Sequence, residues 1–345
     1  MPETHGWAAF EPNGALTPYT FQRREVRPDD VAIEIDYCGV CATDLDAVRA
    51  ATSGQPLVPG HEIIGRVTAT GSDVTDFAPG DTVGIGTIVD SCGKCPACEV
   101  GRDNWCFDYP TVTYGGHDRV DGSPTFGGYS RSIVSAQRFV HPIPAALAPA
   151  AAAPLLCAGV TVFAPLTLWG AGPGKTVGVV GIGGLGHLAV KFAHAMGART
   201  VVFTTSPGKA EAARALGADD VVLSTDPDAM AAWRWKLDLI IDTVGAAHAF
   251  EPYFDTLGLD GTHVFVGIHD ENISFEPWRL LYGAKRLAGG SGEGPLMVRR
   301  MLDFSAQHGI TADVEVLPAH EVNTALDRLA RNDVRYRFVL DMAQA

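Results

Sequence analysis

Hydrophobic positions change their spacing partway along the chain. Val31-Ala32-Ile33-Glu34-Ile35 reads at period two, as a half-buried strand does. Ile63 to Val67, Thr82 to Gly86 and Ile133 to Ser135 read alike, with turn signals at Pro59-Gly60, Pro79-Gly80 and Asp121-Gly122. The segment up to about residue 140 therefore predicts a β-rich domain.

Beyond residue 170 the spacing shifts. Thr176-Val177-Gly178-Val179-Val180 is a continuous apolar run, the mark of a strand buried on both faces. Leu185 to Met196 predicts a helix with Gly197 as its C-cap, Thr200 to Thr204 a second strand, and Lys209 to Leu216 a helix closed by Gly217. Val221 to Leu223, Leu237 to Asp242 and His263 to Gly267 supply further strands. Strands alternating with helices predict an α/β, doubly wound parallel sheet. The last segment predicts helices at Pro295 to His308 and near Val322 to Arg331, then a strand at Tyr336 to Leu340.

The 345 residues suffice for two domains with separate cores. Lys and Arg number 26 against 40 Asp and Glu, a net charge of −14, which gives no electrostatic basis for nucleic-acid binding. The N-terminus carries no secretory pattern. Pro142 to Gly174 has no charge, but its six prolines would break a spanning helix, so it predicts a buried connector with short helices. The expectation is a cytoplasmic protein that binds no membrane.

Gly181-Ile182-Gly183-Gly184-Leu185-Gly186 follows a predicted strand and opens a predicted helix. In that context it is the dinucleotide fingerprint: Gly181 for the tight turn, Gly183 for backbone approach to the pyrophosphate, Gly186 for helix packed on strand. The next strand ends in Thr204-Thr205-Ser206-Pro207-Gly208-Lys209, with hydroxyls and a cation where NAD-selective proteins place a carboxylate. Donors and positive charge suit a 2′-phosphate, so NADP(H) is expected. Taken alone, Lys209 also fits a solvated lysine at a helix start.

Most of the seven cysteines cluster at short spacings, which argues for metal sites and a reducing compartment. Cys92, Cys95, Cys98 and Cys106 fit a closed, structural tetrahedral zinc site. The first three cysteines could share their spacing with an iron–sulfur cluster, but Cys106 lies too far along and no proline follows it. Cys38, Cys41 and Cys157 remain, and His61 lies in Gly60-His61-Glu62. A Cys2His set would leave one zinc position open, whereas Cys38 reads as packed core.

With these motifs the chain resembles the zinc-dependent medium-chain alcohol dehydrogenases, over essentially its whole length. The resemblance runs through Gly39-Val40-Cys41-Ala42-Thr43-Asp44, Gly60-His61-Glu62, the four-cysteine lobe, Leu155-Leu156-Cys157-Ala158-Gly159 and the glycine loop. The uncharged connector and the Thr-Thr-Ser strand end resemble the cinnamyl-alcohol-dehydrogenase-like branch, which includes bacterial NADP-dependent aldehyde reductases. The resemblance implies a GroES-like catalytic domain over 1–148 and 289–345 and a Rossmann domain over 149–288. It implies a catalytic zinc on Cys41, His61 and Cys157 with Glu62 nearby, so two zinc ions per chain in all. Asp44 would hold the far nitrogen of His61, Thr43 would bond the reacting oxygen, and Ser291 would lie by the nicotinamide. Gly184 and Leu185 complete the cofactor loop. The expected activity is mainly NADPH-dependent reduction of a small-molecule aldehyde to its alcohol, by a homodimer.

Some positions depart from the family. Ala42 replaces a pyrophosphate-binding His or Arg, and Asp46 stands where a histidine relays the proton to solvent. A carboxylate with an ordinary pKa near 4 relays protons poorly at neutral pH. Asp46 is therefore either an altered relay or a solvated acid. Glu293 stands where relatives are uncharged, and beside a nucleotide it would repel phosphate, so it is expected to point outward. His187 reads as structural or a cofactor neighbour. Thr87, Trp105, Tyr109 and Tyr114 fall near the family's substrate walls, or pack the zinc lobe. Two other activities remain open: an imine or conjugated-alkene reductase, and a catalytically silent nucleotide-binding protein.

Overall fold

The computed structural model describes residues 3–268 and 272–344. Contacts within the chain separate two units, the first Met1–Cys157 with Glu293–Ala345 and the second Ala158–Gly292. Leu155 and Leu156 carry the first unit past residue 148. Both are buried, and a Cβ on Gly84 would lie 2.7 Å from Leu156 Cδ1, so the turn Ala153–Leu156 packs on the strand Thr82–Ile85.

Ala158–Gly292 contains one parallel six-stranded sheet. Its spatial order is Asp220–Leu223, Arg199–Thr204, Thr176–Val180, Leu237–Asp242, Leu257–Phe265 and Arg286–Gly289. Numbered along the chain this is order 3-2-1-4-5-6. The order reverses between Thr176–Val180 and Leu237–Asp242, where such sheets take a ligand at their carboxyl ends. Val201 and Val202 are adjacent and both fully buried, as are Ile240 and Ile241, so the sheet is covered on both faces. The helix Gly186–Ala195 ends before Gly197 at φ +83°, a left-handed stop that glycine takes without strain. The helix Ala158–Leu168 is buried from Ala158 to Leu166. Among the described residues no single helix is long and apolar enough to cross a membrane.

The other unit is built on a mixed sheet ordered Val314–Pro318, Arg337–Asp341, Asp30–Val40, Ile63–Thr70, Thr82–Ile85 and His141–Pro142, with Ser132–Ala136 also paired to Asp30–Val40. Val31, Ile33, Ile35, Ile63 and Ile85 fill its core. Arg337–Asp341 returns from the far end of the chain and lies antiparallel to Asp30–Val40, with Phe338 opposite Val40. The hairpin Glu3–Ala8 with Thr17–Gln22, and the strand Val314–Pro318, escaped the hydrophobic pattern. The buried positions of Glu3–Ala8 are Thr4, Gly6 and Ala8, too small or polar to mark a period, Thr17–Gln22 buries only Phe21, and Val314–Pro318 has no buried face.

Candidate metal and nucleotide sites

Cys41 stands where the strand Asp30–Val40 gives way to the helix Ala42–Arg49. As the N-cap residue it needs a partner for its backbone N–H. Asp44, three residues on, supplies it with Oδ2 at 2.9 Å, the reciprocal spacing of a capping box. The same carboxylate accepts from Tyr129 Oη (2.9 Å) and Gly60 N (3.1 Å), and its Oδ1 lies 3.0 Å from His61 Nδ1. Four hydrogen-bond partners compensate a carboxylate that is wholly out of solvent. With Nδ1 held by Asp44, His61 turns Nε2 to within 3.3 Å of Cys157 Sγ. Cys157 Sγ is 4.0 Å from Cys41 Sγ.

The ligand atoms of Cys41, His61, Glu62 and Cys157 all lie within 4.8 Å of one another. Burial opposes charge on His61, yet the adjoining Asp44 carboxylate holds its pKa well above the ordinary value. The hydrogen bond from Cys157 draws Cys41 well below a normal thiol against the effect of burial, while that same bond and burial push Cys157 up. Basic donors crowded around too few protons suit a divalent cation. Glu62 fits too. Burial lifts its pKa to about 7 against the pull of Arg337. Its Oε1 accepts from Arg337 Nη2, whereas the buried Oε2 has no partner. A Cβ on Gly39 would lie 2.0 Å from that free oxygen, which accounts for the glycine. Sequence reasoning missed Arg337 and Tyr129. A charge opening the apolar run Arg337-Phe338-Val339-Leu340 was the available signal for the first.

The second cluster is local. Cys92, Cys95, Cys98 and Cys106 also place their sulfurs within 4.8 Å of one another. Backbone N–H groups of Cys92 and Phe107 donate at 3.4 Å to the sulfurs of Cys106 and Cys95. The Phe107 contact leads in lowering Cys95 to about 6, while burial raises Cys98 to about 12. Asp103, buried beside the lobe, accepts from Ser91 Oγ at 2.7 Å and from Arg138. Four converging sulfurs with backbone donors fit a tetrahedral thiolate site.

In the other unit the glycine loop has the geometry each glycine implies. Gly181 takes φ +84°. Gly183 is exposed with nothing within 4 Å of a would-be Cβ, which leaves the backbone open to a pyrophosphate. A Cβ on Gly186 would lie 2.2 Å from the Gly181 carbonyl oxygen. Gly184 and Leu185 are half-buried in the same turn. His187 is buried with Nδ1 3.0 Å from the Gly183 carbonyl, inside the loop. Thr204 is buried and uses its hydroxyl on Ser206 N at 3.1 Å, so it shapes the turn that presents Thr205 and Ser206. Lys209 is exposed and leans back to within 3.5 Å of the Ile182 carbonyl, beside the loop. Ser291 is exposed.

Thr43 is exposed with Oγ1 3.6 Å from Cys41 Sγ. Asp46 is not brought to the cluster: its side chain is 65% exposed and pairs with Arg49 at 3.0 Å. Cys38 is wholly buried. Of the four wall candidates, Tyr114 lies with its ring 5.6 Å from that of His61, and Thr87 bonds Asn104 Oδ1 at 3.3 Å. Trp105 is 43% exposed and Tyr109 83%. Glu293 corrects the expectation that it points outward. It is buried and accepts from Arg102 Nη2 (2.6 Å), Arg102 Nε (3.1 Å) and Trp105 Nε1 (3.0 Å). An arginine fork and an indole N–H offset the burial of its charge.

A β-rich unit bearing a Cys-His-Cys cluster and a four-cysteine lobe, and a 3-2-1-4-5-6 sheet with a glycine loop, together define a zinc-type nicotinamide dehydrogenase. The alcohol dehydrogenase GroES-like domain matches residues 27–145 and the zinc-binding dehydrogenase domain residues 184–307. The chain belongs to the zinc-dependent alcohol dehydrogenases and is an oxidoreductase. It sides with the cinnamyl-alcohol-dehydrogenase-like and bacterial aldehyde reductase branch. It is 49% identical over 340 residues to aldehyde reductase YahK of Escherichia coli (strain K12), covering 96% of each chain. The cinnamyl alcohol dehydrogenase SbCAD4 of Sorghum bicolor superposes with a TM-score of 0.95 at 45% identity, over 100% of this chain and 99% of that one. A Helicobacter pylori CAD complexed with NADP(H) gives 0.92 at 31% identity, over 99% of both.

Proposed function

We propose that this protein is an NADP(H)-dependent zinc alcohol dehydrogenase that works mainly as an aldehyde reductase, with two zinc ions per chain. The observation that carries the reading is the convergence of Cys41, His61 and Cys157 on one point, with Asp44 fixing the imidazole from behind. These three residues would hold the catalytic ion, with Glu62 beside it, and the four-cysteine lobe would hold the structural one. Zinc bound there supplies Lewis-acid polarisation of a carbonyl oxygen, and NADPH supplies the hydride.

The chain's own groups do the rest. Asp44 keeps His61 in the tautomer that presents Nε2 to the metal position. Arg337 holds one oxygen of Glu62 and leaves the other buried without a partner. Thr43 Oγ1, exposed two residues after Cys41, donates to the substrate oxygen and passes the proton from solvent. Asp46, engaged with Arg49 at the surface, takes no part in that transfer. Gly181, Gly183 and Gly186 shape the seat of the pyrophosphate. Thr205, Ser206 and Lys209 surround the 2′-phosphate, where a carboxylate would repel it. The dimer is proposed on the unpaired edge strand Arg286–Gly289, in a unit that leaves Ile268 and Leu281 four-fifths exposed.

A panel of aliphatic and aromatic aldehydes with NADPH and NADH tests the reading. It predicts turnover with a clear NADPH preference. The surface placement of Asp46 gives one reason to include C=N and conjugated C=C substrates in the panel. Zinc-independent turnover of those alone, with none on aldehydes, would replace this reading with the imine or alkene reductase.

A further inference from the structure

The strand Leu237–Asp242 ends in a charged arrangement that neither metal cluster uses. Asp242, wholly out of solvent, accepts at Oδ2 from His248 Nε2 (3.0 Å) and His263 Nε2 (3.1 Å), and at Oδ1 from the Val244 N–H (3.2 Å). His248 also turns Nδ1 to the Ala246 carbonyl oxygen at 2.9 Å. A neutral imidazole has one N–H and one lone pair, so it can donate to only one of these two acceptors. With a carboxylate at one ring nitrogen and a carbonyl at the other, both bonds form only when the ring is imidazolium.

The surroundings agree. The bond to Asp242 raises the His248 pKa against the effect of burial. Burial opposes charge on Asp242 too, yet the bonds from His248 and His263 hold it at about 2. Among the described residues the ring also faces Tyr253, with centroids 5.8 Å apart, whose hydroxyl burial keeps protonated. Its 17% exposed side borders an open cavity of about 380 Å³ shared with Glu251, Asn272 and Ser274, which gives the proton a route to water. A raised pKa means that the second N–H is present below the ordinary imidazole value of about 6.5 and is lost as pH rises through the raised one.

The turn closed by these bonds leans directly on the glycine loop. Thr243 donates to the Val180 carbonyl from both its N–H (3.1 Å) and its Oγ1 (2.8 Å). A Cβ on Gly181 would lie 2.7 Å from Val244 Cγ2, and one on Gly186 would lie 3.1 Å from Thr243 Oγ1. From the other side, a Cβ on Gly267 would lie 2.7 Å from the Val244 backbone. His248 thus holds Asp242, Asp242 holds Val244, and Val244 backs Gly181. Each link is a hydrogen bond or an atomic contact, and all lie within Ala158–Gly292.

We infer that His248 is a positioning residue for the nucleotide: as imidazolium it clamps Asp242 and the turn behind the glycine loop, so NADPH binds more tightly below the pH at which that proton leaves. The inference rests on the NADP(H) reading above. Because linkage is reciprocal, NADPH must in turn favour the charged ring, and its binding takes up protons where free His248 is partly neutral.

The test measures the Kd of NADPH for the zinc-loaded enzyme by tryptophan fluorescence from about pH 7 to about pH 9, above the range in which a phosphate monoester changes charge. The wild-type Kd is expected to rise about 5- to 10-fold across that window, the low end of ordinary coupling between sites. His248→Gln, whose side chain does not titrate, should bind at the weak, high-pH level throughout and give a flat profile. His248→Asn, equally unable to titrate, carries the same expectation with a shorter side chain. Calorimetry of wild type at about pH 8, in buffers of different ionisation enthalpy, should show net proton uptake on NADPH binding, and needs no variant. A wild-type Kd that stays level, a variant profile as steep as that of wild type, or binding without proton uptake would overturn the inference alone. Wild-type enzyme that binds NADPH at no pH would overturn the reading beneath it.

Discussion

The two sulfur clusters of the first unit are held in opposite ways. The four-cysteine lobe takes all its ligands from one stretch, Cys92 to Cys106, whose only helical pieces are Pro96–Glu99 and Asp103–Trp105. Its braces come from elsewhere in the unit: Arg138 on Asp103, and Glu293 on Arg102 and Trp105. The Cys41, His61 and Cys157 cluster gathers ligands from three distant points on buried elements, and Asp44 and Arg337 hold the surrounding polar groups. With an ion in each, as proposed, a loop with so little core would depend on its ion for order, whereas a site carried by a sheet would keep its shape and use the ion for chemistry. Loss of metal should therefore destabilise one region and silence the other.

The largest effect should follow from breaking the buried cluster. His61→Ala should lower kcat/KM by at least about 10³-fold, because the lost Lewis acid is worth several kcal/mol of the barrier. Circular dichroism and the melting temperature should stay near wild type. Next comes Cys98→Ser in the lobe, expected to lower Tm by roughly 5–10 °C and to open the 92–106 loop to limited proteolysis. If His61→Ala unfolded the protein and Cys98→Ser did not, the contrast would be reversed. Asp44→Asn keeps the shape but removes the charge behind His61, and should cost about 10- to 100-fold in metal affinity, read by competition with a chelating dye. The smallest effect is expected of Asp46→Ala, within about twofold in kcat, since an exposed pair with Arg49 contributes little. A tenfold loss there would return Asp46 to the proton path.

What the sequence disclosed follows the same divide. The lobe and the glycine loop were legible because their chemistry is written in consecutive spacing, and the strand–loop–helix at Thr176 to Ala195 places Gly181, Gly183 and Gly186 with it. The alternating strand Asp30–Val40 was legible because one face is buried. The supports were not. Arg337 reaches Glu62 across 275 positions, Glu293 reaches Arg102 across 191, and Tyr129 reaches Asp44 across 85. No local period records such pairs. Glu293 was misjudged for that reason: its charge was visible, while the arginine and indole that receive it lie far back in the chain.

Zinc content per chain, measured on wild type and on Cys157→Ala purified identically, bears most directly on the central claim. The account predicts about two ions in wild type and about one in the variant, with activity abolished and Tm nearly unchanged. A variant that still held two ions, or a wild type that held only one while fully active, would contradict it.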